Sequence, residues 1–146
     1  MTVFSPSRIV SAAALLAIGF AAGSWNAANV AHAQGAGKVY ELRTYTAPDG
    51  TLPKLQARFR DHTIRIFNKH GMKSVGYWVP QDAPLHDNTL IYILEHPSRE
   101  AAKQNWAAFQ KDPEWQKVAN ESQVNGKIVA RVESVFMDAT DYSAIK

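Results

Sequence analysis

The 146-residue chain contains no cysteine. This absence excludes disulfide bonds, thiolate metal sites and a lipid anchor attached through cysteine. The chain also lacks a large excess of charge of one sign, because 16 Lys and Arg residues nearly balance 13 Asp and Glu residues. The charges are interspersed, so the composition does not favour a nucleic acid or an anionic membrane as partner. The chain has no glycine-rich phosphate loop, and no two histidines stand three or four apart, so no metal site is predicted.

The N-terminal residues lack charge apart from Arg8, and they have the layout of a secretory signal peptide. Arg8 precedes the apolar run "IVSAAALLAIGFAA", and the small-x-small pattern Ala31-His32-Ala33 follows. The run is shorter than the roughly 20 apolar residues of a membrane-spanning helix. We predict that residues 1–33 are a cleaved signal peptide and that the protein is periplasmic or secreted, with no stable membrane span. Residues 34–146 then form a single domain.

The remaining chain alternates between strand and helix patterns. Side chains that alternate with period 2 predict strands over residues 38–46, 72–80, 88–96 and 127–137. Apolar residues at spacings of three and four predict a helix over residues 51–70. Thr51 is its expected N-cap, and Gly71 is its expected stop.

The second helical region is predicted in two pieces. Ser98 is the N-cap of a helix that continues to about Gln110, and Asp112 caps a further piece with Pro113 at its first position. The resulting order, β-α-β-β-α-β, predicts an α+β fold of the ferredoxin-like type. In this plan the sheet is antiparallel and both helical regions pack on one of its faces.

The helices leave the other face of the sheet uncovered. The candidate site therefore depends on which side chains lie on that face. We expect the more aliphatic set to face the helices, and this set is Leu42, Val75, Val79, Ile91, Ile93, Ala130, Val132 and Phe136. The opposite face then collects Glu41, Arg43, Tyr45, Gly76, Trp78, Tyr92, Leu94, His96, Arg131, Glu133 and Val135. This second set is too apolar for ordinary solvent surface, so we expect two such sheets to pack together in a homodimer around a cavity.

The candidate pocket is drawn from that second face. Its members are Glu41, Arg43, Tyr45, Trp78, Tyr92, His96, Arg131 and Glu133. An arginine fork could hold a carboxylate while a glutamate moves a proton. The alternative is that Glu41–Arg43 and Arg131–Glu133 are structural ion pairs. If the site hypothesis holds, Arg43→Ala abolishes ligand binding and leaves the dimer intact.

The histidines and the aromatic cluster have simpler interpretations. His96 is the histidine placed near the candidate pocket, and a hydrogen-bonded core role is expected for it. No cofactor is predicted, with axial haem ligation by His96 or His70 kept as an alternative. The stretch "NWAAFQKDPEWQ" (105–116) combines Trp106, Phe109 and Trp115, and the topology predicts that these rings pack behind the sheet rather than grip a ligand.

Three stretches together resemble the NIPSNAP family. They are "VYELRTYTAPDGTLPKLQARFRDHTIRIFNKHGMKSVGYW", "NTLIYILEHPSREAAKQNWAAFQKDPEWQKV" and "VARVESVFM". The resemblance covers nearly all of residues 38–142 and implies the dimeric α+β barrel fold and a homodimer. Eukaryotic members of the family are mitochondrial, a setting from which a secretory leader departs. The wider superfamily includes cofactor-free monooxygenases, isomerases and haem enzymes, but a fold does not define a chemistry.

Two classes of function remain open at this point. In the first, the homodimer binds a small apolar or aromatic carboxylated molecule in a barrel pocket, and it could act as a cofactor-independent oxygenase or isomerase. In the second, it is a non-catalytic interaction module for another exported protein. A pocket of ligand size favours the first, whereas a filled interior in which Glu41 and Arg43 are fully paired favours the second.

Overall fold

The computed structural model describes residues 37–146, so the predicted signal peptide lies outside the described residues. Within this range the order β-α-β-β-α-β is confirmed. The strands are β1 (Val39–Thr46), β2 (Lys73–Trp78), β3 (Thr89–His96) and β4 (Arg131–Met137). The helices are α1 (Leu52–Arg58), α2 (Ile64–Lys69), α3 (Arg99–Lys111) and α4 (Pro113–Glu121).

The four strands form one antiparallel sheet in the order β2-β3-β1-β4. This is the order that two right-handed β-α-β units produce. Strand β4 begins at Arg131, four residues later than predicted. The preceding stretch still joins the fold, because Ile128 is buried and the Ala130 N–H donates to the Thr46 carbonyl at 2.8 Å.

The predicted first helix is interrupted by a π-helical segment, Phe59–Thr63, between α1 and α2. One side-chain bond accompanies the wider turn, since the Thr63 hydroxyl donates to the Arg58 carbonyl at 3.1 Å. Thr51 is the N-cap residue as predicted, but its side chain makes no cap bond, because its hydroxyl donates to the Pro48 carbonyl. Gly71 ends the region at φ +71°, as expected for a helix stop.

The second helical region begins and restarts at the predicted caps. The Ser98 hydroxyl accepts a hydrogen bond from the Ala101 N–H at 3.0 Å. The Asp112 carboxylate accepts one from the Glu114 N–H at 2.8 Å and starts α4, with Pro113 in its first turn. Asp112 also binds Lys69 and His70 through its other oxygen, which joins the end of α2 to the start of α4.

The core lies between the helices and one face of the sheet. Its buried members include Leu55, Phe59, Ile66, Phe67, Met72, Leu90, Tyr92, Leu94 and Phe109. Within the stretch "NWAAFQKDPEWQ", Phe109 belongs to this core and Trp106 and Trp115 pack against it, as predicted. The Phe109 ring lies 4.4 Å from the Trp115 ring and 5.5 Å from the Trp106 ring, measured between centroids.

The prediction of which sheet face meets the helices was wrong for β1 and β3. Glu41, Tyr92, Leu94 and His96 are at most 1% exposed and lie under the helices. The register places Leu42 opposite Ile93 on the other face, and both side chains are only half-buried. Aromatic rings fill the gap beneath the helices, so Leu42, Ile91 and Ile93 lie on the open face instead. In β4 the prediction was right, because Val132 and Phe136 share the helix face with Tyr45 and Glu41.

Candidate functional site

The eight predicted pocket residues divide between the two faces of the sheet. Glu41, Arg43, Tyr45, Tyr92 and His96 lie on the helix face. Trp78, Arg131 and Glu133 lie on the open face, as the strand register shows. The structure therefore does not bring them together into one pocket, because each face is separated from the other by the sheet itself.

Glu41 is the centre of the helix-face group. Its Oε1 accepts hydrogen bonds from Arg43 Nη1 at 2.6 Å and from Ser134 Oγ at 2.6 Å. Its Oε2 accepts from Trp106 Nε1 at 2.6 Å and lies 3.0 Å from His96 Nε2. A carboxylate offers about four acceptor positions, so these four groups occupy all of them.

This saturation determines the protonation state of Glu41. Burial alone would raise the pKa of Glu41, but the hydrogen bonds from His96, Ser134, Trp106 and Arg43 lower it to about 2. A carboxylate with such a low pKa is a weak base at neutral pH. Glu41 thus joins β1, β3, β4 and α3 as an anion at neutral pH, and it offers a ligand neither a free oxygen nor a proton.

Arg43 is the charged partner of Glu41 and is held on both sides. Its guanidinium carbon lies 4.2 Å from the centroid of the Trp106 ring and 5.5 Å from that of Tyr45. Burial opposes the charge, but Tyr92, Tyr45 and Glu41 outweigh it and raise the pKa of Arg43. This geometry supports the alternative interpretation of the sequence, in which Glu41 and Arg43 form a structural ion pair.

The two histidines considered for haem are both bound to carboxylates. His96 is fully buried and its Nε2 contacts Glu41, while His70 Nε2 lies 2.6 Å from Asp112 Oδ2. Axial ligation needs a ring nitrogen that reaches an open space, and neither Nε2 offers one. The residues present therefore do not fit a haem. In residues 37–146 no group of three or more His, Asp and Glu side chains is placed to hold a metal ion.

The open-face members have less restricted surroundings. Arg131 and Glu133 lie on the exposed edge strand β4, and Arg131 Nη2 is 3.4 Å from Glu133 Oε1. An ion pair this exposed contributes little to the free energy of folding. Trp78, on the opposite edge strand, is 49% exposed. A Cβ on Gly76 would stand 2.6 Å from the Trp78 ring, so the glycine allows the indole to lie flat against the strand.

Trp78 also borders an apolar pocket of about 280 Å³ beside β2, which we call the edge pocket. Its lining consists of Gln56, Phe59, Arg60, Ile64, Tyr77, Trp78, Val79 and Leu90. The Tyr77 hydroxyl lies 2.6 Å from the Ser74 hydroxyl, so Tyr77 lines the pocket with its ring rather than with its polar end. Arg60 is exposed and is the only cationic lining residue.

Sequence reasoning missed several residues that the structure places at sites. Trp106 was predicted to be a core residue, but a buried indole N–H also needs an acceptor, and in the structure that acceptor is Glu41. Ser134 was not singled out, and nothing in the alternation of β4 marks it. Arg58 and Arg60 fall between the apolar positions of the helix stripe, which predicts solvent exposure for both. Arg58 is nevertheless 6% exposed.

No helix among residues 37–146 is long and apolar enough to cross a membrane. The sheet order, the helices on one face and the open second face define an α+β protein of the dimeric α+β barrel class. The NIPSNAP family model matches residues 40–144. The chain therefore belongs to the NIPSNAP family.

Solved structures agree with this assignment. A NIPSNAP family protein of unknown function from Agrobacterium tumefaciens str. C58 is 23% identical with a TM-score of 0.66, covering 75% of this chain and 95% of its own. A NIPSNAP-like domain protein from Burkholderia xenovorans is 17% identical with a TM-score of 0.65, covering 75% and 90%.

The fold extends beyond the family. A monooxygenase from Streptomyces coelicolor, solved in complex with Nanaomycin D, is 15% identical with a TM-score of 0.54, covering 76% of this chain and 95% of its own. At this identity the likeness concerns the fold alone. None of the curated proteins compared with the chain matches it.

Proposed function

We propose that the protein is an exported homodimer that binds a small apolar or aromatic carboxylate in the edge pocket. The observation that carries this proposal is the position of Trp78. A large aromatic side chain lies half exposed at the mouth of an apolar pocket, and Gly76 makes room for its ring. Exposed aromatic surface beside a cavity is typical of binding sites.

The chemistry of the pocket supports one class of ligand. Phe59, Tyr77 and Trp78 offer ring faces and edges, and Val79 and Leu90 complete an apolar wall. A volume of about 280 Å³ suits a one- or two-ring compound. Arg60 at the rim provides a charge for a carboxylate that stays partly in water.

The open sheet face supports the homodimer. Val135 is 55% exposed there, and Leu42, Ile91 and Ile93 are half-buried beside it. A second copy packed on this face removes that apolar surface from water. Because Trp78 lies on the same face, the partner would also cover its exposed side and deepen the edge pocket.

Ligand binding is tested with 2-naphthoate and its uncharged analogue 2-naphthalenemethanol by isothermal titration calorimetry. Arg60→Gln is expected to weaken 2-naphthoate about tenfold and to leave the alcohol unchanged, because only the carboxylate meets the guanidinium. Trp78→Ala is expected to weaken both. Arg131→Gln, an exposed arginine outside the pocket, is the matched control. Equal binding by wild type and Trp78→Ala would contradict the proposal.

The homodimer is tested separately by sedimentation velocity. Val135→Arg places a charge on the open face without touching the edge pocket or the helix-face core, so we expect a folded monomer. Lys127→Glu, a charge change before β4 begins, is the control. Export is tested by N-terminal sequencing of protein from the periplasmic fraction, where the mature chain is expected to begin at Gln34.

One observation favours the alternative function, a non-catalytic interaction module for another exported protein. Glu41 is fully hydrogen-bonded and pairs with Arg43, so this carboxylate offers no free acid or base. If neither naphthalene compound binds and the dimer persists, the interaction module becomes the better interpretation.

A further inference from the structure

Arg58, the last residue of α1, stands apart from the other buried charges. It is 6% exposed, and it forms part of the wall of a groove of about 350 Å³ between α1 and α4. Among the buried charged side chains of residues 37–146, Glu41 and Asp112 each contact an oppositely charged group. No carboxylate of the described chain lies within salt-bridge distance of Arg58.

The hydrogen bonds of Arg58 leave one edge of its guanidinium free. Nη1 donates to the Ser122 hydroxyl at 3.3 Å. Nε is buried without a partner, and Nη2 makes no hydrogen bond to any described residue. The Nε–Nη2 edge is one of the two edges through which arginine holds a carboxylate by two parallel bonds. A buried donor left without an acceptor is costly. Arg43 Nε is also buried without a partner, but Arg43 pairs with Glu41, whereas Arg58 has no anion and lies at a groove, which indicates an absent acceptor.

The neighbours of Arg58 hold its guanidinium in place without giving the free edge an acceptor. The Trp115 ring lies 5.2 Å from the guanidinium carbon, which fixes one side of the plane. Burial lowers the pKa of Arg58, although Tyr45 and Tyr92 oppose the shift. The π-helical segment begins at the next residue, and such segments are frequent at functional sites.

We propose that the groove between α1 and α4 binds the carboxylate of a small molecule, with the Nε–Nη2 edge of Arg58 as its anchor. The rim carries Lys54 and His62 but also the acidic side chains of Asp61 and Glu121. These two carboxylates disfavour a multiply charged anion, so a single carboxylate fits and phosphate does not. The site lies apart from the edge pocket and does not depend on it.

The test is an NMR titration of the ¹⁵N-labelled protein with butyrate, following the Arg58 Nε–H and Trp115 indole resonances. Butyrate is expected to shift both resonances saturably, whereas butyramide, of the same shape without charge, is not. Inorganic phosphate at matched ionic strength is expected to bind at least tenfold more weakly. Equal binding of butyrate and phosphate, or no saturable shift with butyrate, would overturn the proposal.

Two variants separate a binding role from a structural one. Arg58→Met is expected to abolish the Trp115 shift while the melting temperature stays equal or rises, because an unpaired buried charge is removed. Arg58→Lys keeps the charge without the two-donor edge and is expected to weaken butyrate about tenfold. Lys103→Met removes an exposed cation on α3 that lines neither this groove nor the edge pocket, and it is the control that binds butyrate normally. If Arg58→Met still binds butyrate, or if both Arg58 variants lower the melting temperature strongly, the assignment is wrong.

Discussion

Two buried charges in this domain are surrounded in opposite ways. Glu41 accepts hydrogen bonds from four side chains that come from β1, β3, β4 and α3. Arg58 is almost as deeply buried but has a single hydroxyl partner. Burial of a charge costs free energy in both cases, and only the first site offsets that cost within the described chain.

The difference shows how a charged residue with a structural role can be distinguished from one with a binding role in this fold. The sequence favoured Glu41 and Arg43 as the site because they are charged residues within a strand pattern. They pair with each other, and every acceptor position of Glu41 is occupied, which indicates a structural role. Arg58 attracted no attention in the sequence, yet its free guanidinium edge lies at a groove, which indicates a binding role.

The largest effect is expected from breaking the saturated group. Glu41→Gln removes the anion and leaves Arg43 buried without its charge partner, so we expect the free energy of unfolding to fall by about 3–5 kcal/mol. Urea denaturation measures it. Glu95→Gln is the matched control, because Glu95 pairs with the exposed Lys38 and Lys73 and should cost at most about 1 kcal/mol. Equal losses in the two variants would refute the structural role of Glu41.

A smaller effect is expected from removing one donor to Glu41. Trp106→Phe keeps a ring in the core but deletes the N–H that binds Oε2, which we expect to cost about 2 kcal/mol in the free energy of unfolding. Trp115→Phe is the comparison, since the Trp115 indole N–H donates no hydrogen bond within residues 37–146. The hydrogen bond is unimportant if the two substitutions cost the same.

Acidification should weaken the same group gradually. The folded-state pKa of Glu41 is about 2, below its ordinary value of 4.5. A lowered pKa contributes stability above the ordinary value, and that contribution is lost as the pH falls from about 4.5 to about 2. The urea midpoint of the wild type should therefore fall more steeply over this range than that of Glu41→Gln. Parallel pH profiles would show that the Glu41 carboxylate is not stabilised in the folded state.

The smallest effect on stability is expected at Arg58. Arg58→Met should change the free energy of unfolding by less than about 1 kcal/mol, or raise it, because no charge partner is left behind. Arg43→Met is the matched control, and it should lower stability severalfold more because it leaves Glu41 without its cation. Urea denaturation of the two variants side by side sharpens the comparison between the paired and the unpaired site.

The elements were predictable because their signals are local. Ser98 and Asp112 act as caps through their own side chains, and Gly71 takes a positive φ that other residues avoid. The π-helical segment was not predictable, because the spacing of Phe59 and Thr63 is equally compatible with a regular helix. Thr51 shows the limit of the cap rule, since a nearby carbonyl competed for its hydroxyl.

The choice of sheet face was beyond local reasoning. Alternation separates Glu41 from Leu42, but it does not state which side the helices cover. An aliphatic face was expected to meet them, yet Tyr92 and the Phe67 ring fill that space, with 6.0 Å between their centroids. Burial of Glu41 there depends on Trp106, which is 65 residues away in the chain.

The sequence by itself determined the strands, the helices, their order and the family, because periodicity, caps and turns act over a few residues. Only the tertiary structure decided which charges are satisfied. Hydrogen bonds to Glu41 and the free edge of Arg58 depend on atoms brought together from distant parts of the chain. The energy of a buried charge depends on its neighbours in space, and those neighbours are defined only when the helices have packed on the sheet.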